Sequence, residues 1–344
     1  MTKRLVVCCD GTWNSLKQAA PTNVVHLYDA LPPTDPTQLA YYHAGVGTLP
    51  WERISGGAFG FGLSRNVREC YRFLVENFEP GDEVFLFGFS RGAYTARSTA
   101  GFIRNCGILR RANEGKIDDG YRLYRDRDPE TGPDSPAARE FRASYAHSDV
   151  APIRFIGVWD TVGSLGIPLS GGRLINLFNR RWQFHDTQLS STVRSAFQAL
   201  AIDEQRSSFE PAIWNPSPAA DGQQREQVWF AGCHSDVGGG YPDRALADLT
   251  LRWMVDRAQQ CGLGFSPGAF AGLAPRNVSG PLHDSATGLF RLLGTAVRPI
   301  GVRDPPSEYA SSTAVARRVS ANPPYEAPNL VAYFGDPRHQ IMAA

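Results

Sequence analysis

The sequence predicts an α/β fold, in which a mostly parallel central sheet is covered by helices on both faces. Runs rich in β-branched and aromatic residues alternate with segments of helical periodicity, as expected where crossover helices join parallel strands. Polar residues directly follow several of these runs, which is typical of the edge at which such sheets bind ligands. With 344 residues, of which 42% are apolar, the chain is long enough for one large domain with a sizeable core.

The strands are predicted from nearly continuous apolar runs bounded by Gly, Asp or other turn residues, as in strands buried on both faces. In chain order they are 4–9, 39–42, 82–87, 153–159 and 227–233. The helices are predicted from apolar residues recurring every three or four positions, such as Val67, Cys70 and Leu74. They are 23–31, 63–78, 93–98, 190–201 and 246–261.

The remaining segments are predicted to belong to the same single domain, 1–344. Residues 110–150 are polar and rich in Arg, Asp and Pro, and we expect a helical insertion or lid there. Residues 165–190 are loop-like and are expected to contribute to a cap over the substrate. The segment 265–344 has many prolines and weak periodicity, so we expect it to wrap around the domain rather than form a second one.

Composition excludes several classes of protein. The chain has 35 Lys and Arg against 34 Asp and Glu, which leaves no basic surface for nucleic acid. No apolar run approaches the roughly 20 residues of a membrane span, and the N-terminus does not resemble a secretory signal. The six cysteines lack C-x-x-C metal spacing and are expected to be buried thiols. A cytoplasmic location is therefore predicted, although export by a machine that reads no signal leaves no trace in the sequence.

The most informative motif is Gly88-Phe89-Ser90-Arg91-Gly92, a G-x-S-x-G between a predicted strand and a predicted helix. In that context it indicates a nucleophile elbow, a tight turn that exposes the serine hydroxyl above the sheet edge. The N-terminus of the following helix adds partial positive charge where negative charge would develop. Ser90 is therefore the candidate nucleophile.

Two further polar residues follow predicted strands. Asp160 comes directly after 153–159, and His234 comes directly after 227–233. The chain order Ser, Asp, His is that of the α/β-hydrolases, so we predict an α/β-hydrolase fold. His234 would take the Ser90 proton as base and return it as acid, while the Asp160 carboxylate orients the imidazole.

Other residues compete for these positions. Asp203, just after a predicted helix, is the alternative acid, and Asp160 itself could merely cap a turn. His43, His185 and His283 are weaker alternatives to His234, which alone lies between a predicted strand and a run of three glycines.

An oxyanion hole needs two backbone donors. We predict the amide of Arg91 as one donor and the amide of Gly11 or Thr12, after the first strand, as the other. Asp10 and Asp236 are expected to lie behind the reacting groups. The Arg91 side chain is expected to pair with one of these two carboxylates, although it could also attract a phosphate head group.

Three other functions fit parts of the pattern. A metal-dependent hydrolase would gather Asp10, Asp160 and Asp236 around a cation. A phosphatase of the D-x-D-G-T type needs a nucleophilic Asp where this chain has Cys8, so that class is disfavoured. A non-catalytic ligand-binding module could keep the elbow as scaffold. Labelling by a fluorophosphonate, which requires an activated serine, distinguishes the last case.

Five motifs occur in a fixed order along the chain. They are Cys9-Asp10-Gly11-Thr12-Trp13-Asn14, Tyr41-Tyr42 with Gly45-Val46-Gly47-Thr48, the elbow itself, Val158-Trp159-Asp160-Thr161-Val162-Gly163, and His234-Ser235-Asp236-Val237-Gly238-Gly239-Gly240-Tyr241. Over about residues 3–260 the chain thereby resembles a bacterial and fungal α/β-hydrolase domain family that includes the type VI secretion phospholipase effectors. A weaker echo is Leu282-His283-Asp284-Ser285.

The resemblance implies a Ser-Asp-His hydrolase, with lipid esters as the substrates of the characterised effectors. The chain departs from the family where His43-Ala44 replaces an acidic residue and a proline. The sequence as a whole predicts an esterase or lipase that forms an acyl-enzyme without metal or cofactor, with transient contact to a membrane surface. An apolar cap for acyl chains is expected at 165–182 or at Phe59-Gly60-Phe61.

Overall fold

In the described residues, eight strands form one sheet in the order β2-β1-β3-β4-β5-β6-β7-β8, and every neighbouring pair is parallel. The computed structural model describes residues 2–12, 14–16, 18–45, 58–126, 128–163, 188–273, 276–292, 294–321 and 323–344. The strands are β1 Arg4–Cys9, β2 Gln38–His43, β3 Glu83–Phe89, β4 Ile153–Trp159, β5 Val193–Ala201, β6 Gln224–Phe230, β7 Glu308–Ser311 and β8 Ile341–Met342.

Helices cover both faces of this sheet, which confirms the predicted α/β fold. Alternate residues of β1 separate into two apolar cores: Leu5 and Val7 pack with α2 and α3, whereas Val6 and Cys8 pack with α1 and α7. The helices are α1 Asn23–Ala30, α2 Ala58–Asn77, α3 Arg91–Cys106, α4 Ile117–Arg125, α5 Pro136–Tyr145, α6 His234–Gly238, α7 Ala245–Gln260, α8 Leu289–Leu292, α9 Ser312–Ser320 and α10 Pro328–Gly335.

The prediction of a helix at 190–201 is wrong, because these residues form strand β5 in the middle of the sheet. Val193, Ala196, Phe197 and Leu200 do recur at helical spacing and are all buried. Burial on both faces removes the alternation that marks a half-buried strand, so periodicity alone does not separate such a strand from a buried helix.

The segment predicted as an insertion or lid packs against the C-terminal half of α3. The ring of Phe102 lies 5.5 Å from that of Tyr121 and 5.6 Å from that of Tyr124, both in α4. Because Ser90 precedes the first residue of α3, α4 contacts the end of this helix that lies away from the serine. The predicted cap at 165–182 and the side chains of 59–61 lie outside the described residues.

The segment 265–344 contributes to the sheet itself. β7 pairs with β6 and β8 pairs with β7, so both strands extend the sheet beyond β6, which corresponds to the last of the predicted strands. A third apolar core, which includes Leu200, Trp229, Ala314 and Leu330, joins this segment to β5 and β6. In the part of the chain that the structure describes, no helix is long and apolar enough to cross a bilayer.

Candidate active site

The predicted site residues follow strands that end at one edge of the sheet. Asp10 follows β1, Ser90 follows β3 and Asp160 follows β4, while His234 begins α6 four residues after β6 ends. β2 lies on one side of β1 and β3 on the other, so the strand order switches between β1 and β3, which is where an open α/β sheet is expected to form a crevice. Ligands of open α/β sheets bind at such a switch point.

Ser90 occupies a strained turn between β3 and α3. Its backbone has φ 57° and ψ −120°, which is unfavourable for a residue with a side chain. The flanking glycines permit this turn: a Cβ at Gly88 would lie 2.5 Å from the carbonyl oxygen of Gly92, and a Cβ at Gly92 would lie 2.1 Å from that of Cys9. The turn is also tied to β4, since the Ser90 amide donates to the Trp159 carbonyl at 3.0 Å.

Asp160 and His234 form a buried pair. Oδ2 of Asp160 lies 2.5 Å from Nδ1 of His234. Asp160 has φ 38° and no exposed surface, and its Oδ1 accepts the amide of Ala201 at 3.0 Å. The pair thus links the ends of β4 and β6 across the end of β5.

The surroundings keep the carboxyl charged and the imidazole neutral. Burial favours neutral Asp160, but the charge of Arg298 and the hydrogen bond to His234 outweigh burial and hold its pKa well below its ordinary value. Burial lowers the pKa of His234, although Asp160 and the charge of Glu204 oppose this shift. A neutral imidazole that carries its proton on Nδ1 follows, which leaves Nε2 as the proton acceptor.

The ring of His234 lies beside the elbow. Its centroid is 4.6 Å from that of Phe89, the residue before Ser90, and 5.0 Å from that of Phe209. Among the residues described around the elbow and α6, no hydrogen bond joins Ser90 to this ring. Catalytic hydrogen bonds are often long in free enzymes and shorten when substrate binds.

The loop after β1 touches the candidate nucleophile. A Cβ at Gly11 would lie 3.3 Å from Cβ of Ser90. The Gly11 amide donates to Oδ1 of Asp10 at 2.7 Å, so this predicted oxyanion donor already has an acceptor. Thr12 is only 7% exposed, and its hydroxyl has no hydrogen-bond partner in the described structure. Of the two candidates after β1, Thr12 therefore has the donors available.

Asp10 stabilises the loop after β1. Its carboxyl accepts from the hydroxyls of Tyr42 at 2.7 Å and Thr22 at 2.9 Å. Burial raises its pKa to about 6, against these hydrogen bonds.

Asp236 acts on α6. It caps this helix by accepting the Cys233 amide at 3.0 Å, and it lies 2.6 Å from Nδ1 of His283. Asp10 and Asp236 both bond to other groups in the described structure, and the expected ion pair with Arg91 is not among these contacts.

Two guanidinium groups, those of Arg91 and Arg206, lie near the candidate site. Burial and the charge of Arg206 lower the pKa of Arg91 to about 10, so Arg91 stays protonated at neutral pH. Arg206 is held by both carboxylate oxygens of Glu204, at 2.9 Å each, and lies over the ring of Phe209. Because Phe209 packs edge-on against His234, these charges lie close to the candidate site.

The alternative residues have other partners. Asp203 accepts from the Tyr325 hydroxyl at 2.7 Å and from the Gly232 amide at 2.7 Å. His43 lies 2.7 Å from Glu69, and His185 is outside the described residues. The neighbour of Asp203, Glu204, is the second carboxylate at His234, whose amide it accepts at 3.2 Å.

Sequence reasoning missed Arg298, whose guanidinium contacts both oxygens of Asp160. It lies in a segment without periodicity or motif, so nothing local pointed to it.

The carboxylates of the metal-site alternative do not converge. Asp10 bonds to Thr22 and Tyr42, Asp160 to His234, and the described residues include no group of three His, Cys, Asp or Glu that could hold a metal ion.

The chain is similar to several known proteins. An uncharacterized protein of Saccharomyces cerevisiae is 29% identical over 237 residues, which are 63% of this chain and 33% of that protein. A crystal structure of an uncharacterized protein from Pseudomonas aeruginosa aligns with a TM-score of 0.49 and 16% identity, covering 80% of this chain and 48% of that one. The structure of the Tle1 effector bound to the VgrG spike aligns with a TM-score of 0.40 and 21% identity, covering 71% and 52%.

The chain thus spans between a third and about half of the length of these relatives. The model of the catalytic domain of Tle1-like phospholipase effectors of type VI secretion systems matches residues 3–257, most of the chain. The protein therefore belongs to the family of Tle1-like phospholipase effector catalytic domains.

Proposed function

We propose that this protein hydrolyses carboxylic esters of lipids through an acyl-enzyme on Ser90. The observation that carries the proposal is the buried Asp160–His234 pair beside the strained elbow. A neutral imidazole oriented by a carboxylate is what a serine hydroxyl needs in order to attack near neutral pH. Membership of a phospholipase family supports the lipid-like substrate.

In the acylation step, Ser90 Oγ attacks the ester carbonyl carbon while His234 Nε2 takes the hydroxyl proton. Asp160 stabilises the imidazolium that forms. The intermediate collapses when the imidazolium gives its proton to the leaving alcohol, which leaves an acyl group on Ser90. Water then attacks this ester with His234 as base, and the products are a carboxylic acid and free Ser90.

The negative oxygen of each tetrahedral intermediate needs donors in the crevice. We assign the amide of Arg91, in the first turn of α3, and the amide and hydroxyl of Thr12. Pre-oriented donors of this kind cost no reorganisation during the reaction, so each contributes substantially to the rate.

Charge near the crevice fits an anionic head group. Arg91 stays protonated, and its charge favours the phosphate of a phospholipid over an uncharged ester, whereas the charge of Arg206 is balanced by Glu204. Phe209 and Phe290, whose rings are 6.0 Å apart, offer apolar contact beside the same charges. Anionic phospholipids are therefore the favoured substrate class within the proposal.

The test is turnover of an ester series from acetate to palmitate, with one phospholipid, together with labelling by a fluorophosphonate. Ser90→Ala should abolish labelling and lower kcat by about four to six orders of magnitude. Ser98→Ala, which removes another buried serine of α3, is the matched control and should leave both unchanged. Labelling of Ser90→Ala at the wild-type rate would contradict the assignment.

A further inference from the structure

Arg298, a buried arginine in the C-terminal part of the chain, forms two hydrogen bonds with the candidate acid Asp160. Arg298 is 5% exposed, its Nη1 lies 2.7 Å from Oδ1 of Asp160, and its Nη2 lies 3.1 Å from Oδ2. Such a bidentate contact fixes the orientation of the carboxylate plane and stabilises its negative charge. Oδ2 is thereby shared between Arg298 and His234.

The guanidinium is itself fixed by the ends of neighbouring elements. Nη1 also donates to the Ala201 carbonyl at 3.0 Å, and Nη2 donates to the carbonyl of Phe209. The Arg298 carbonyl accepts from Asn329 of α10 at 3.0 Å, and the same amide group reaches the Ile202 carbonyl at 2.9 Å. The segment that carries Arg298 is therefore held against the chain that follows β5.

A buried carboxylate at a strained φ needs this support. Breaking a buried ion pair by removal of one partner leaves an uncompensated charge, which is strongly unfavourable. Without Arg298, Asp160 would retain the Ala201 amide and His234 as its side-chain partners. Its orientation would then depend on the same imidazole that it is meant to orient.

We propose that Arg298 is a positioning residue of the hydrolytic site, which fixes the Asp160 carboxylate against His234 and shares its charge. The inference rests on the proposed function. The family match ends at residue 257, so by this inference a segment beyond the matched region contributes a residue to the site.

Charge sharing has a directional effect on His234. The charged groups that face this imidazole are Asp160 and Glu204, which favour the imidazolium, and Arg206, which disfavours it. Arg298 acts on it through Asp160. Removing Arg298 leaves more of the Asp160 charge to stabilise the imidazolium, so the base stays protonated up to a higher pH.

The experiment compares Arg298→Met and Arg298→Lys with a control, Arg317→Met. Arg317 is also buried and C-terminal, but it donates to the carbonyls of Val278 and Gly280 and not to the site. The rate kcat/KM for a soluble p-nitrophenyl ester is measured from pH 4 to 9, and thermal unfolding is recorded in parallel.

We expect Arg298→Met to lower kcat/KM by on the order of 10- to 100-fold and to move its acidic limb to higher pH by about one unit. Arg298→Lys keeps the positive charge but cannot form the bidentate contact, so its loss of kcat/KM should be smaller. In Arg317→Met the acidic limb of the pH profile should lie at the same pH as in wild type. If Arg298→Met has the rate and limb of the control, the inference is overturned.

Two further measurements cover the remaining outcomes. If Arg298→Met does not fold, Arg298→Lys decides, and a wild-type rate and limb in that variant would overturn the inference. In a protein that already carries Asp160→Asn, adding Arg298→Lys should cause no further loss, since Arg298 acts through that carboxylate.

NMR titration of the His234 ring in wild type and Arg298→Met reports the charge sharing even if no ester is turned over. An unchanged titration in the variant would overturn the inference. An inactive wild type with a shifted titration would instead count against the proposed function alone, so the two failures are distinguishable.

Discussion

In the proposed mechanism, protonation of His234 limits the reaction at low pH. Because its imidazole must accept a proton, activity is present above its pKa and lost below it. Burial places that pKa below the ordinary value of about 6.5. We therefore expect kcat/KM to be constant near neutral pH and to fall about tenfold per pH unit only at pH values below 6.5.

A pH series with a neutral ester, with circular dichroism to verify the fold, measures this limb. His339→Gln is the control, since this exposed histidine contacts Asp336 and not the site. An acidic limb centred above pH 7 in wild type would contradict the environment described for His234.

Thr12 lies at the candidate site with a buried hydroxyl that has no hydrogen-bond partner among the described residues. A buried hydroxyl without a hydrogen bond costs about 1–3 kcal/mol, so Thr12→Val should leave the free energy of unfolding unchanged or raise it. If the hydroxyl donates to the substrate oxyanion, the same variant should lose on the order of 100-fold in kcat. Stability and activity are thus expected to move in opposite directions.

The matched control is Thr99→Val, in α3, whose hydroxyl donates to the Thr95 carbonyl at 2.9 Å. It should lose a little stability and keep its kcat. Unchanged kcat in Thr12→Val, measured beside unfolding in urea, would remove this hydroxyl from the proposed oxyanion hole.

At the scale of elements, the contact between the end of β1 and the start of α3 sets the geometry of the elbow. Gly92 lies so close to β1 that an added Cβ would sit 2.1 Å from one backbone oxygen, that of Cys9, and 2.4 Å from another, that of Asp10. Neither strand nor helix can yield easily, so Gly92→Ala should lower the free energy of unfolding by about 2–4 kcal/mol.

Gly115→Ala is the comparison, because nothing lies within 4 Å of the Cβ it would add. It should change stability by no more than about 0.5 kcal/mol. Both values come from urea unfolding. A Gly92→Ala protein as stable as Gly115→Ala would mean that β1 and α3 are less tightly packed than described.

The same elements indicate how far sequence carries the fold. The strands that precede Asp10, Ser90 and Asp160 were predicted within one or two residues, because an unbroken apolar run bounded by a glycine or an acidic residue is typical of a buried strand. β5 was mistaken for a helix, since nothing in its composition shows that it is covered on both sides. Position within the sheet is a tertiary property.

The polar residues divide in the same way. Ser90 and His234 belong to short glycine-containing motifs next to strands. Their residue types and spacing can therefore be recognised in the sequence. Arg298 and Glu204 act by meeting Asp160 and His234 across the fold. Their roles depend on distances that no local pattern encodes.

At the scale of the whole molecule, the sheet continues past the region that the family model matches. β7 and β8 are formed by residues after 257, and the core between Leu200, Trp229 and Leu330 joins them to β5 and β6. The C-terminal part therefore both completes the sheet and supplies Arg298 to the site.

This connection has a consequence for synthesis of the chain. The elbow and its first three strands are translated early, more than 200 residues ahead of Arg298, as the printed numbering shows. When Ser90 and Asp160 have just been synthesised, the Asp160 carboxylate therefore still lacks its Arg298 partner. The proposed hydrolytic site would be complete only after the segment that carries Arg298 has been synthesised.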